Sequence, residues 1–193
     1  SFYKFCKLAE DDDENDYFFI IDEINRGNLS KIFGELFMLI EKDKRGIELQ
    51  LLYSDENFSV PANVYIIGMM NTADRSLAML DYALRRRFSF FTMKPGFNTP
   101  GFQAYQDSLK NDAFNKLIAC VKQLNSQIVE DISLGEGFCI GHSYFCGLTP
   151  ETANTQTLSS IVEYELIPLL KEYWFDEPAK IVDWSDRLRS AVK

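Results

Sequence analysis

The chain is poor in the residues that build metal centres. It has a single histidine, His142, and four cysteines, Cys6, Cys120, Cys139 and Cys146, with no C-x-x-C pair among them. Cys139, His142 and Cys146 stand close together, but three candidate ligands without a fourth make a poor zinc site. Scattered cysteines of this kind read as buried, reduced thiols of a cytosolic protein, so a cytoplasmic location is expected. No apolar run approaches the roughly 20 residues of a membrane-spanning helix, and no basic stretch followed by an apolar one signals secretion. Positive charge is also scarce. With 20 Lys and Arg against 29 Asp and Glu the net charge is −9, which argues against this piece being a main DNA-gripping surface, because phosphate contacts need clustered Lys and Arg. The chain opens at Ser1, and its first recognisable element arrives mid-theme, so it reads as a fragment of a longer protein.

What is present starts with Tyr17–Asn28, YFFIIDEINRGN. An uninterrupted apolar run of this length predicts a strand buried on both faces. It ends in Asp22-Glu23, at the C-terminal edge where open α/β sheets place ligands. The preceding acidic run, EDDDEND (Glu10–Asp16), reads as a solvated loop between Phe2–Leu8 and the strand. Asn28 is a natural N-cap, and Leu29, Ile32, Phe33, Leu36, Phe37 and Ile40 then fall on one helical face. Lys42, Lys44 and Arg45 gather at the end of that helix, and Gly46 can take a left-handed exit. IELQLLY and NFSVP suggest a hairpin around Ser54–Asn57. NVYIIGMMN reads as a second buried strand ending at Asn71. A short helix, Ser76–Arg86, leads through three arginines into FSFFTM, a third strand candidate.

The pattern changes at KPGFNTPG (Lys94–Gly101), which is dense in Pro and Gly. Beyond it the periodicity is helical. Phe114, Leu117, Ile118, Val121, Leu124 and Ile128 mark one stripe. Leu158, Ile161, Val162, Leu166, Leu169, Leu170 and Tyr173 mark another, with a kink expected at Pro168. Pro178 is placed to start a last helix. The expected organisation is therefore an α/β part over residues 1–95 and a helical part over 96–193.

An apolar strand running into Asp-Glu suits a nucleotide hydrolase. There the Asp orders a magnesium shell on the phosphates, and the Glu orients or deprotonates the attacking water. Alone, such a string is equally a strand end with two solvated acids. The second strand strengthens the case, because Asn71 at the tip of a parallel neighbour can hold the lytic water by its amide. Asp74 is as well explained as an N-cap as by a direct role. Arg75 could touch nucleotide or a neighbouring subunit, or be a surface charge. The three arginines of LRRRF (Leu84–Phe88) repel one another, so at least one is expected to seek an anion. Spacing alone does not choose among Arg85, Arg86 and Arg87.

FFIIDEINRGNLSKIFGELFMLIEKDKRG, VPANVYIIGMMNTADRSLAMLDYALRRRFSF and GHSYF together resemble the McrB family. These are AAA+ motor subunits of methylation-dependent restriction systems. The resemblance runs from about Tyr17 to near the C-terminus, and MNTADRS followed by LDYALRRRFSF is its most specific part. It implies the C-terminal portion of an AAA+ P-loop NTPase sheet followed by an all-helical lid. It makes Asp22 and Glu23 the Walker B pair, with Asp22 reaching Mg2+ through water. Asn71 becomes the sensor asparagine, inside a signature that extends through Asp74 to Arg75. Arg86 and Arg87 best match the arginine-finger positions acting across a subunit boundary. The only histidine, His142, matches GHSYF and is assigned to nucleotide contact from the lid, with a packed interior histidine as the other reading. GTP is the implied nucleotide, with ATP as the alternative. The implied partners are further copies in a hexameric ring, an McrC-type endonuclease, and DNA carrying modified cytosine read by a domain outside this piece.

One departure from that pattern is large. No G-x-x-x-x-G-K-[ST] occurs anywhere, although that loop cradles the phosphates. LGEGFCIGHS (Leu134–Ser143) is glycine-rich, but no Lys-Ser/Thr follows, and it reads as a lid loop. The phosphate loop is expected upstream in a parent protein, and the piece by itself should be a poor hydrolase. Three other readings compete. A MoxR-like ATPase chaperone also tends to show DEINR, but not the string after Asn71. A non-hydrolysing assembly module would be expected to have lost Glu23, Asn71 or the arginines. A metal-dependent nuclease would need a further acid and a lysine beside Asp22-Glu23.

Overall fold

Apolar strands of five residues each, YFFII and VYIIG, pair side by side at the centre of the first of two compact units, Ser1–Phe91 and Thr92–Lys193. The computed structural model describes residues 2–27, 33–52, 55–71, 73 and 85–193. Strands β1 (Tyr17–Ile21) and β4 (Val64–Gly68) run parallel, in register from Tyr17 opposite Val64 to Ile21 opposite Gly68. Between them in sequence lie β2 (Leu49–Gln50) and β3 (Asn57–Phe58), an antiparallel pair that carries the expected hairpin. Residues 53 and 54 of its connection lie outside the described residues.

A helix that the sequence reading did not anticipate, α1 (Phe2–Glu10), covers one face of the parallel pair. Phe2, Cys6 and Ala9 fall on its buried side at i, i+4, i+7 spacing. Phe2 meets Phe19 edge-on with centroids 5.0 Å apart, and Phe5 lies 5.1 Å from the same ring. Burial pushes the Cys6 thiol up to about 12. The acidic run that follows is exposed but well organised. The Asn63 side-chain amide donates to the carbonyls of Ala9, Asp12 and Asn15 at 3.0, 2.9 and 2.9 Å. The Asp12 carboxylate accepts from Asn15 and from the Tyr17 hydroxyl, and these bonds hold it below its usual range.

Three expectations for this unit need correction. The strands are not buried on both faces: Phe18, Ile20, Tyr65 and Ile67 are exposed on the face opposite α1, and no described element covers them. Phe18 and Tyr65 stack on each other there at 5.3 Å. The stripe through Phe33 and Ile40 does not continue as an α-helix. Gly34 sits at φ 53°, in the left-handed region, and Gly34–Met38 winds as 3₁₀, followed by a 3₁₀ turn at Lys42–Lys44. A 3₁₀ turn repeats every three residues, which still brings Phe37 and Ile40 into the core. The Asn28 cap and the first turn of that stripe lie outside the described residues, whereas Gly46 does take the left-handed exit, at φ 75°. Finally, FSFFTM is not a strand. Phe88 packs against the core while Phe90, Phe91 and Met93 are exposed, and no described strand offers the segment a ladder.

The second unit is helical, as its periodicity predicts. Its helices are α2 (Pro100–Leu109), α3 (Asp112–Glu130), α4 (Thr155–Ile161), α5 (Ile167–Tyr173) and α6 (Pro178–Ala191). Thr99, Asn111 and Asn154 cap the first three by accepting from Phe102, Phe114 and Thr157 backbone N–H groups. All six residues of the Phe114–Ile128 stripe are buried. The expected break near Pro168 is a π turn, Val162–Leu166, between α4 and α5. Pro168 has no N–H to give the preceding turn, and a wider turn relieves that demand. Where α3 ends, Asp131 anchors the loop that follows. Its Oδ1 accepts from the Ser133 N–H and hydroxyl at 2.8 and 2.6 Å. Its Oδ2 accepts from the Trp174 indole at 2.8 Å and the Lys180 ammonium at 2.7 Å.

Candidate active site

The site grows out of how β1 ends. Ladder bonding continues one step past the strand: the Met69 N–H donates to the Ile21 carbonyl at 2.8 Å, and the Ile24 N–H returns to the Met69 carbonyl at 2.9 Å. Between those two bonds the chain turns sharply through Asp22 and Glu23. Glu23 adopts φ 49°, ψ 44°, the left-handed region that side-chain-bearing residues rarely enter. The Asp22 carboxylate supports the turn, its Oδ1 accepting from the Glu23 N–H at 2.9 Å. Non-glycine residues held there cost about 1–3 kcal/mol and cluster at functional sites.

Gly68 makes the turn possible. A Cβ at that position would lie 2.4 Å from Ile24 Cδ1, and Ile24 is itself buried. A side chain at the last residue of β4 would push Ile24 out of place, so the absence of a Cβ there lets Ile24 pack closely against the strand end. The sequence reading passed over both residues, although a glycine closing an apolar strand is a signal of close approach.

Asp22, Glu23 and Asn71 are brought to one end of the parallel pair, all three exposed. Their polar atoms are partly committed. Glu23 Oε1 pairs with Arg26 Nε at 2.9 Å. Asn71 Oδ1 accepts from the Ala73 N–H at 3.0 Å, which leaves the amide nitrogen as its end for a ligand. Asp22 keeps Oδ2 beyond the bond to Glu23. Two carboxylates and an outward amide on rigid strand ends can order a hydrated cation and a water molecule side by side.

The remaining sequence-derived positions are placed elsewhere. Asp74 and Arg75 lie outside the described residues, as does most of the Ser76–Arg86 helix. Arg85 and Arg86 are exposed, whereas Arg87 is mostly buried. Residues 86–89 line an open groove of about 620 Å³ together with residues 41–43. Arg87 Nη2 bonds Glu41 Oε1 at 2.6 Å, and its guanidinium lies 4.2 Å above the Phe37 ring. Glu41 was not singled out from sequence.

His142 belongs to the second unit, and the structure gives it a packing role there. Its Nδ1 accepts from the Gly96 N–H at 2.9 Å, and its ring meets Phe102 edge-on at 5.8 Å. A Cβ on Gly96 would fall 2.9 Å from the imidazole, so the pair is closely fitted. This is the packed arrangement; the nitrogen the structure commits is committed to backbone. Cys146 Sγ donates to the His142 carbonyl and Cys139 Sγ to that of Asn125, and all four cysteines are free thiols. Among the described residues no group of three or more His, Cys, Asp or Glu is arranged to hold a metal.

Comparison with known proteins divides along the same line as the fold. Residues 4–88 match the family model of the AAA domain (dynein-related subfamily), and residues 116–182 match that of the McrB alpha-helical lid domain. Over 197 aligned residues the chain is 52% identical to the type IV methyl-directed restriction enzyme EcoKMcrB subunit of Escherichia coli (strain K12), covering 97% of this chain and 43% of that protein. It is 29% identical over 143 residues to the type II restriction enzyme BsuMI component YdiS of Bacillus subtilis (strain 168), covering 63% of this chain and 42% of that one. The chain thus spans less than half the length of either relative.

Proposed function

We propose, from the premise that this chain belongs to the McrB family, that it is part of a nucleotide-hydrolysing motor subunit in a modified-DNA restriction complex. The observation that carries the reading is the convergence of Asp22, Glu23 and Asn71 at one end of a parallel strand pair locked by the Ile21–Met69–Ile24 bonds. GTP is the proposed nucleotide, and Mg2+ would supply charge neutralisation on its phosphates.

The chain's own residues fit that chemistry. Asp22 presents Oδ2 to the hydration shell of the ion. Glu23, displaced from Arg26, takes a proton from the attacking water. Asn71 donates from its amide nitrogen to hold that water or a phosphate oxygen in line. An arginine from the 86–87 pair stabilises charge on a phosphate bound by a neighbouring copy, which requires a ring, proposed as a hexamer. Coupling of hydrolysis to movement on DNA carrying modified cytosine, and activation of an McrC-type endonuclease, are proposed for the complete protein. The names of the two relatives, both restriction enzyme components, support that setting.

The test is steady-state hydrolysis of GTP and ATP by the full-length protein, with and without the endonuclease partner. Glu23→Gln serves as the control. GTP-selective turnover that the partner stimulates, reduced by roughly 10²–10⁴ in the control, supports the assignment. ATP preference points instead to a chaperone-like ATPase. Turnover of neither nucleotide removes the motor reading.

A further inference from the structure

Arg86 and Arg87 are adjacent in sequence and opposite in circumstance. Arg87 is held: its side chain is 14% exposed, Nη2 sits 2.6 Å from Glu41 Oε1, and its guanidinium carbon lies over Phe37, 4.2 Å from the ring centroid. Arg86 is exposed at the rim of the same groove, and no described residue forms an ion pair with it. A guanidinium lent to a neighbour must be able to leave its own surface. Releasing Arg87 would break a short charge-assisted bond and a cation–π contact at once, leaving Glu41 without its cation.

Glu41 is itself firmly placed. Leu39 and Ile40 before it are buried, and Phe37 belongs to the same core. The turn after it is bonded from the Lys44 N–H back to the Glu41 carbonyl at 3.0 Å and from the Gly46 N–H to the Val60 carbonyl at 3.0 Å. Arg45 Nη1 then reaches the Val64 carbonyl at 3.0 Å, on the strand whose far end leads to Asn71. A continuous set of bonds therefore ties the carboxylate that grips Arg87 to β4.

We infer that Glu41 is a positioning residue: by clamping Arg87 against Phe37 within its own subunit, it fixes the 85–87 turn so that Arg86 is the arginine presented to a phosphate held by a second copy of the chain. This rests on the nucleotide-hydrolysis reading above and assigns separate tasks to two arginines that the sequence leaves equivalent. Glu41 never touches nucleotide. It acts through Arg87 on the direction of Arg86.

The experiment uses the full-length protein and four variants: Glu41→Gln, Glu41→Asp, Arg86→Ala and the charge-swapped Glu41→Arg/Arg87→Glu. Each is measured for nucleotide Kd at a dilution that prevents assembly, for kcat at saturating nucleotide and protein, and for Tm. Glu41→Gln is expected to leave Kd within about 2-fold while kcat falls roughly 10–100-fold, the scale set by misplacing a catalytic group by about 1 Å. Glu41→Asp, which keeps the charge, recovers most of that loss. Arg86→Ala falls by roughly 10³ or more, the scale of a lost arginine finger. The swapped pair regains turnover above Glu41→Gln, because Arg87 is needed only as the clamp's other half.

Unchanged kcat in Glu41→Gln overturns the inference. So does a folded swap variant that stays as low as Arg86→Ala, since Arg87 would then be the arginine acting in trans. If Glu41→Gln loses Tm sharply, the swap variant decides alone. Glu23→Gln is run alongside: if it turns over normally, the hydrolysis reading falls and this inference with it. If Glu23→Gln is inactive while Glu41→Gln is normal, only the positioning role is lost.

Discussion

Asp131→Asn tests how the helical unit holds its loops. The substitution keeps size and shape and removes one charge. Asp131 is almost buried, its side chain 8% exposed, and both oxygens are in use, Oδ1 by Ser133 and Oδ2 by Trp174 and Lys180. An asparagine cannot serve all of these. If its oxygen stays with the Ser133 N–H, its NH2 faces the indole N–H and the ammonium, donor against donors. Flipping the amide relieves those contacts only by turning the NH2 on the Ser133 N–H. Bonds to charged groups contribute about 1.5–3 kcal/mol each, and the charge on Lys180 is partly screened because its side chain keeps 24% exposure. We therefore expect a loss of about 2–3 kcal/mol, which for a unit of this size lowers Tm by roughly 10 °C.

Both tryptophans, Trp174 and Trp184, lie in the second unit, so intrinsic fluorescence of the 193-residue chain follows that unit directly. The pH dependence adds a second reading. The Lys180 ammonium first, then the Ser133 hydroxyl and the Trp174 indole, hold the Asp131 carboxyl far below the ordinary carboxylate range. A depressed folded-state pKa stabilises above the unfolded value, near 4, and loses that contribution as pH falls toward the folded one. The gap between wild type and Asp131→Asn should be full at pH 7 and narrow progressively below about pH 4. A Tm shift of less than about 3 °C at pH 7, or a gap that widens on acidification, would show that these bonds do not stabilise the unit as argued.

Gly68→Ala should cost about 1–3 kcal/mol and displace Ile24, and in the full-length protein it should depress kcat for nucleotide hydrolysis more than it weakens binding; normal kcat would mean that the Asp22–Glu23 turn tolerates movement. Asn63→Ala strands three carbonyls around the acidic loop, and an expected destabilisation of about 1–3 kcal/mol by urea titration checks whether that loop is structural or merely solvated. Native thiol labelling at pH 7.5 should modify exposed Cys146 quickly and buried Cys6 only after denaturation; early labelling of Cys6 would refute the packing of α1 against the sheet.

Legibility followed the range of the interactions involved. The α3 stripe was readable because Phe114, Leu117, Ile118, Val121, Leu124 and Ile128 repeat at helical spacing and nothing distant competes. β1 and β4 were readable as apolar runs, and their parallel pairing put Asn71 at the same end as Asp22 and Glu23. Helix α1 was missed because it is short and leads straight into the acidic run, which drew the reading toward loop. Gly34 hid the 3₁₀ winding: a stripe of buried residues looks alike at three or 3.6 residues per turn until a left-handed glycine breaks it. FSFFTM carries strand propensity, but among the described residues no neighbouring strand pairs with it, and propensity alone makes no ladder. The contacts that organise the sites escaped entirely. Glu41 with Arg87 and Gly96 with His142 each join residues 46 positions apart, and no local pattern marks such a pair.

The π turn at Val162–Leu166 sets the phase of everything after it. A turn of this kind holds one residue more than α-helical winding needs, and each residue advances a helix by about 100°. Tyr164, at 80% exposure, looks dispensable by its surroundings. Deleting it would let α4 and α5 fuse into one regular helix, yet that repair would rotate Leu170 and Trp174 away from the core by about a quarter turn or more. The irregular turn thus works as a spacer, and an evolving sequence can change the identity of that residue far more easily than it can remove the position.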